Sequence, residues 1–222
     1  MAYAQAHALQ VELAARCHRG EIEQDLFLTV EHPPVFTLGR RGGREHLGVS
    51  EAFLNSRNIG LVPIERGGEI TYHGPGQLVL YPILNLRRAR LAVRDYVDRL
   101  EEIMRLVAAD FGVKAGRDGR NHGVWVGNNK LGSIGIAIRH AISFHGLALN
   151  VNTDLEPFDW INPCGLRDIG MTSLAQERGA ACAMDAVQSR LQHHLAQIFG
   201  VKLHTRAATA LLAPSSPLPT RP

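Results

Sequence analysis

The stretch 77–84, Gln-Leu-Val-Leu-Tyr-Pro-Ile-Leu, is the most apolar run in the chain and reads as a central buried strand. The residues after it are the most regular. Val93, Tyr96, Val97, Leu100, Ile103, Met104 and Val107 recur at the i, i+3, i+4, i+7 spacing of one helix face. A buried strand followed by an amphipathic helix demands a core of packed sheet and helix layers. On the outer face of the helix, Asp95 with Arg99 and Glu101 with Arg105 stand at i, i+4 and are expected to form ion pairs.

The other segments extend this frame. Residues 6–17 read as a short helix, with Leu9 and Leu13 one turn apart. Residues 25–30, 35–38 and 61–64 are short β-prone runs, the first two separated by His32-Pro33-Pro34. Residues 123–126 and 131–138 flank Gly127-Asn128-Asn129, a hairpin turn signal, and 142–151 is a further strand. Residues 184–199 carry Val187, Leu191, Leu195 and Ile198 at helical spacing. No internal repeat is present. Strands outnumber helices without regular βαβ alternation, so the class is α+β or mixed α/β. One domain is expected over 1–205. The Ala-, Ser- and Pro-rich stretch 206–222 reads as a disordered tail.

Composition narrows the setting. With 222 residues, 45% hydrophobic and 20% charged, the chain has ordinary globular make-up. The apolar runs are too short to span a membrane, and the first residues lack the basic and apolar regions of a signal peptide. Three cysteines, Cys17, Cys164 and Cys182, with no Cys-x-x-Cys pair, argue against disulfides and against a zinc site. A reducing, cytoplasmic compartment is the expectation, with no nucleic-acid or membrane partner. Of 24 basic residues only Lys114, Lys130 and Lys202 are lysine. A lysine kept in an arginine-rich chain is a candidate for chemistry that needs a titratable amine.

Three constellations carry possible chemistry. Asn162-Pro163-Cys164-Gly165 has the preferred residues of a type I turn, which puts Cys164 at its third position. Such a cysteine is either a presented nucleophile or a buried apolar filler. Cys17 and Cys182 read as structural. A nucleophilic thiol needs a neighbour that favours the thiolate, and Lys130, past the hairpin turn, is compatible with that role. Arg66 to Gln77, with Gly67, Gly68, Gly74 and Gly76, is neither a phosphate-binding P-loop nor a dinucleotide turn. It is a glycine-rich hairpin or a ligand loop. His73 lacks partners at metal-ligand spacing, and no metal is expected. In the third, Ser143 to Val151, Gly146 suggests close approach by another backbone or a ligand. His145 is equally a core histidine or an active-site group.

Taken together, residues 31–39 (Glu-His-Pro-Pro-Val-Phe-Thr-Leu-Gly), 66–77, 143–150 and Asn162 to Gly165 resemble the signature blocks of the octanoyl-[acyl-carrier-protein]:protein octanoyltransferases, also called lipoate–protein ligase B. The resemblance spans about residues 26–174; the helices at either end add little to it. It implies the biotin/lipoate protein ligase fold, a mixed sheet flanked by helices. It implies transfer of octanoyl from the phosphopantetheine arm of acyl carrier protein to a lysine of a lipoyl domain, in a 2-oxoacid dehydrogenase E2 subunit or glycine cleavage H protein. The family's nucleophile falls on Cys164 and its partner on Lys130. Substrate contacts fall on Arg66, Gly67, Gly68, Glu69, Ile70, Thr71, Tyr72 and His73, on Ser133, Ile134 and Gly135, and on Gly146, Leu147 and Ala148. No cofactor and no ATP are expected, since thioester to thioester is nearly an even exchange and thioester to amide runs downhill. Val79 and Tyr81 are candidate walls for the acyl chain, and Arg87, Arg88, Arg90 and Arg94 are candidate contacts for an acidic carrier. The rival readings are an ATP-dependent lipoate or biotin ligase of the same fold, a non-catalytic carrier-binding module, and a cysteine hydrolase.

Overall fold

The computed structural model describes residues 1–162, 169–207 and 211. The apolar run at its centre is strand β5 (Gln77–Ile83), buried at every position. It is paired on both edges. Strand β1 (Leu26–Val30) lies antiparallel on one side and β8 (Ile142–Asn150) antiparallel on the other. Strand β7 (Asn129–Arg139) pairs antiparallel with β8, and β6 (Gly123–Val126) with β7. The short β9 (Gly170–Met171) adds to β7 in parallel, so the sheet is mixed. A second sheet sets β2 (Val35–Leu38) between β3 (Gly60–Pro63), parallel, and β4 (Ile70–His73), antiparallel.

The absence of polar relief in β5 follows from helices on both faces of the large sheet. Leu78 and Leu80 point into a core with α3 (Val93–Asp110) and α5 (Met184–Phe199). Val79 and Tyr81 point the other way, into a cluster with Ala6 of α1 (Tyr3–His18). Two short helices, α2 (Glu51–Ser56) and α4 (Leu174–Arg178), are each N-capped by a serine side chain, Ser50 and Ser173. Among the described residues, no helix is long and apolar enough to cross a membrane.

The periodicity of α3 holds with two corrections. Val93 opens the helix and is exposed, while Tyr96, Leu100, Ile103, Met104 and Val107 are fully buried. The two i, i+4 ion pairs expected on its outer face do not form. Arg105 instead makes two hydrogen bonds to Glu102, at 2.6 and 2.8 Å, and Arg99 donates to the carbonyl of Ile198 on α5. Glu101 faces inward, where it accepts from the backbone N–H of Gly123 at 3.0 Å and lies 3.3 Å from Arg117. The buried carboxylate ties down the loop entering β6 and is better paired there than at the surface.

Most of the stretch set off as a tail, 208–210 and 212–222, lies outside the described residues. Leu211 packs beside Leu9 and Leu13, and its carbonyl accepts from Arg16.

Candidate active site

A cavity lies between the large sheet, the second sheet and the N-terminal end of α1. Its placement of Lys130 depends on one extra residue. Across β6 and β7, Val124 pairs with Gly132 and Trp125 with Lys130, leaving Leu131 as a bulge. Leu131 packs in the α3 core, and a Cβ on Gly132 would meet the Met104 sulfur in that same core. Two successive positions therefore face α3. The bulge shifts the two-residue alternation by one, and Lys130 joins Ser133 and Gly135 on the cavity wall. Lys130 is only 8% exposed, and its ammonium lies 5.2 Å from the centre of the Trp125 ring.

Glycine makes the space for it. Gly123 has φ +135°, in a region that L side chains rarely adopt, and a Cβ there would stand 2.8 Å from Lys130 Cε. Gly146 similarly has no room for a side chain, because the carbonyl of Leu80 on β5 occupies it. The close approach expected at Gly146 is thus made by another backbone.

Arg66 is buried, and its guanidinium donates to the carbonyl and hydroxyl of Thr37, both at 2.9 Å. A Cβ on Gly39 would lie 2.7 Å from that guanidinium, and one on Gly135 would lie 2.7 Å from Arg66 Cδ. Glycine at both places lets the arginine thread between the two sheets.

His73 ends a buried chain of polar groups. Gln77 donates its amide N–H to the Tyr72 carbonyl and to Asn150 Oδ1; Asn150 donates to the Thr172 carbonyl; Thr172 N–H donates to the Lys130 carbonyl. With the Gln77 amide committed as donor, its Oε1 is the acceptor facing His73 Nδ1 at 2.6 Å. Nδ1 therefore carries the hydrogen, and Nε2 presents a lone pair.

Burial holds His73 neutral, pushing its pKa down from 6.5 to about 3 against the opposing Gln77 hydrogen bond. Burial also lowers His145 to about 4; Glu65 opposes the shift, while His7 and Arg66 add to it. An unfolded chain takes up both protons near pH 6.5, whereas the fold refuses them until far lower. The stability these groups contribute is complete above pH 6.5 and is lost as pH falls toward 4 and 3. Each group costs about 1.4 kcal/mol per pH unit in that window. Urea unfolding at pH 7, 6 and 5 should therefore show a falling midpoint, with a shallower fall in His73→Gln. Equal slopes would show that His73 is not a source.

The wall gathers most of the residues assigned to substrate. Arg66, Gly68, Glu69, Ile70, Thr71 and His73 line it from the β4 side, and Ser133, Ile134 and Gly135 from β7. Gly146, Leu147 and Ala148 come from β8, and Val79 and Tyr81 from β5. Two assigned residues stand behind the wall. Gly67 donates its N–H to Ile136, and Tyr72 packs with Phe36 and Phe158. Cys164 lies outside the described residues, with the rest of 163–168. Its flanks are described. Asn162 N–H donates to the carbonyl of His46, whose ring is 4.0 Å from the Glu69 carboxylate. On the far side, Ile169 is on the cavity wall, next to the β9 residues paired with Asn129 and Lys130.

Sequence reasoning missed Tyr3, Asn121, Trp125, Phe158, Ile169 and Met171 on the wall. A signal was available at Tyr3, which precedes the Leu9 and Leu13 stripe of the first helix.

The family of the lipoyl protein ligase A/B catalytic domain matches residues 2–196, which extends the resemblance to α1 and most of α5. An octanoyltransferase of Desulfotalea psychrophila is 56% identical over 200 residues, covering 89% of this chain and 90% of the relative. An octanoyltransferase of Syntrophobacter fumaroxidans is 45% identical over 197 residues, covering 89% and 86%. Lipoate-protein ligase A bound with ATP superposes with a TM-score of 0.71 at 15% identity, covering 89% of this chain and 82% of that one. The bipartite lipoate protein ligase of Thermoplasma acidophilum gives 0.71 at 15%, covering 90% and 80%. At that identity the superpositions establish the fold, the lipoate-ligase arrangement of a mixed sheet flanked by helices. The family match across most of the chain and the identity of the relatives decide the rest: the chain belongs to the octanoyltransferase family, within the lipoyl protein ligase A/B catalytic domain.

Proposed function

We propose that this octanoyltransferase works by a covalent relay, in which Cys164 takes octanoyl from acyl carrier protein and passes it to a lysine of a lipoyl domain. The observation that carries the reading is Lys130, a buried lysine on the wall of a part-apolar cavity. Cys164 is two residues from Asn162, which is hydrogen-bonded to His46, and five from Ile169 on the cavity wall, a reach of at most roughly 18 Å. One flank lines the cavity, and the other is tied to His46, whose ring stands 4.0 Å from Glu69 on the same wall; this supports the reading.

In the first half-reaction the Cys164 thiolate attacks the octanoyl carbonyl, and the carbon–sulfur bond to pantetheine breaks. The Lys130 ammonium gives its proton to the departing thiolate. In the second, the neutral amine of the acceptor lysine attacks the enzyme thioester. An amide forms, Cys164 leaves as thiolate, and the surplus proton returns to Lys130. Energy enters with the donor thioester, so no nucleotide is needed. Val79, Tyr81, Leu147 and Ala148 offer apolar wall for the acyl chain, where each buried methylene contributes about 0.8 kcal/mol. Arg87, Arg90 and Arg94 are exposed, in keeping with an acidic carrier as donor, while Arg88 is hydrogen-bonded to Asp25. The cytoplasm, which holds donor and acceptor in a reducing medium, is the compartment this chemistry suits.

Intact-protein mass spectrometry tests the relay. Mixed with octanoyl-acyl carrier protein without ATP, the chain should gain one octanoyl mass that maps to Cys164 and chases onto a lipoyl domain. Cys164→Ser should gain none and modify no acceptor. A serine variant that still modifies the lipoyl domain would mean direct transfer without the thioester.

A further inference from the structure

Three side chains that acyl transfer does not explain meet where α1 crosses β8. His7 of α1, Glu65 and His145 of β8 present ligand atoms that all lie within 4.8 Å of one another. Glu65 Oε2 is 2.9 Å from His7 Nε2 and 3.7 Å from His145 Nε2. His145 is 1% exposed, yet neither ring nitrogen has a hydrogen-bond partner among the described residues. A buried polar atom left in that state calls for an explanation. The backbone adds to it: His145 has φ +57°, a left-handed conformation uncommon outside glycine. Its N–H is fixed by Gln10 Oε1 of α1 at 2.8 Å, so the fold holds this imidazole in place against local preference.

We infer that His7, Glu65 and His145 form a binding site for a divalent transition-metal ion of the zinc class, one that clamps α1 onto β8. Two imidazoles and a carboxylate are a usual three-ligand set for such an ion, with a fourth position left for water. The sequence concealed it, because the ligands are far apart in the chain and none involves cysteine. Donors around a tetrahedral zinc stand about 3.4 Å apart; the Glu65–His7 separation of 2.9 Å is shorter than that and the Glu65–His145 separation of 3.7 Å is longer. The His7 and His145 rings are also near-parallel, 15° apart with centroids at 5.5 Å. Closure asks His7 to turn. Its side chain is 27% exposed and, among the described residues, is held by the Glu65 contact and by stacking on Tyr3 and His145. Two cations stand near. Arg139 is 3.9 Å from Glu65 Oε1, lies over the Phe144 ring and is 61% exposed; Arg66 is held by Thr37. The inference does not depend on the thioester relay.

The test uses the full chain without a histidine tag, freed of metal by chelator and titrated with cobalt(II). One equivalent should produce the intense visible bands of a tetrahedral ion, and zinc should displace it. Zinc should also raise the thermal midpoint in a concentration-dependent way. His7→Ala and Glu65→Gln should each weaken binding by about tenfold or more, the loss that even outer partners of a metal bring. Cys164→Ser should bind as the parent does. Absence of stoichiometric binding in the parent would overturn the inference. So would binding that survives His7→Ala but is lost in Cys164→Ser, which would place the ion on the thiol. If Glu65→Gln does not fold, His7→Ala, on a partly exposed helix position, decides alone.

Discussion

Lys130→Ala should lower kcat for octanoyl transfer by about 10²–10⁴-fold, the range of a general acid–base group, with little change in KM for the donor. The lysine reaches the cavity through the β7 bulge and rests against Trp125, so in the proposed relay its loss removes the proton carrier and leaves the apolar part of the wall in place. Lys130→Arg should not restore the rate. Guanidinium keeps the charge but does not release a proton at working pH, and its planar head is larger than the ammonium in a site where Lys130 is 8% exposed. Steady-state rates, with single-turnover formation of the acyl-enzyme, separate the two roles. An alanine variant that loads at the parental rate but fails to deliver would confine Lys130 to the second half-reaction. Parental turnover would make it a wall residue and nothing more.

Gly123→Ala should destabilise the fold by about 2–5 kcal/mol, combining backbone strain at φ +135° with overpacking. The new methyl would press on the carbonyl of Gly132 and on Lys130 Cε, both in the paired strand. Backbone cannot yield as a flexible side-chain end can, so β6 and β7 must part or Lys130 must move. Stability and turnover should therefore fall together. Gly127→Ala supplies the contrast. Gly127 also has positive φ, +57°, but nothing lies within 4 Å of its added Cβ. It should cost only about 1 kcal/mol, the left-handed penalty alone, and leave turnover intact. Urea midpoints for the two variants decide the matter; equal losses would refute the packing argument.

The parts of this molecule that were legible in its sequence are those where one local pattern had one structural meaning. The 3.6-residue stripe of α3 and the apolar run of β5 are of that kind, since burial leaves a periodicity that can be counted. Strand β4 was not legible, because Ile70 to His73 sits among glycines that read as loop, and its strand character comes from pairing with β2. Glu101 was misread for a related reason. A carboxylate at i−4 from an arginine has a ready surface partner, and nothing local announces that Gly123 needs it more. The bulge at Leu131 leaves no trace in composition, yet it decides which face Lys130 occupies. Candidate site residues were mostly reached through resemblance rather than chemistry. Arg66 and Ser133 on one wall are distant in sequence, and only the sheet topology brings them together.

The clasp between Gln10 and His145 also has a consequence in time. The two residues are 135 positions apart, and Ala6, Leu9 and Leu13 pack against strands β1, β5 and β8, all made after them. At synthesis speeds of about 5–20 residues per second, the first helix waits on the order of ten seconds for β8 to appear. During that interval only β1 and β5 are available to cover its apolar stripe, since Ile142 and Ala148 of β8 are still to come. Because Tyr3 on that helix lines the cavity together with residues of β8, the cavity closes late in the life of the nascent chain, and its assembly is governed by long-range contacts that form slowly.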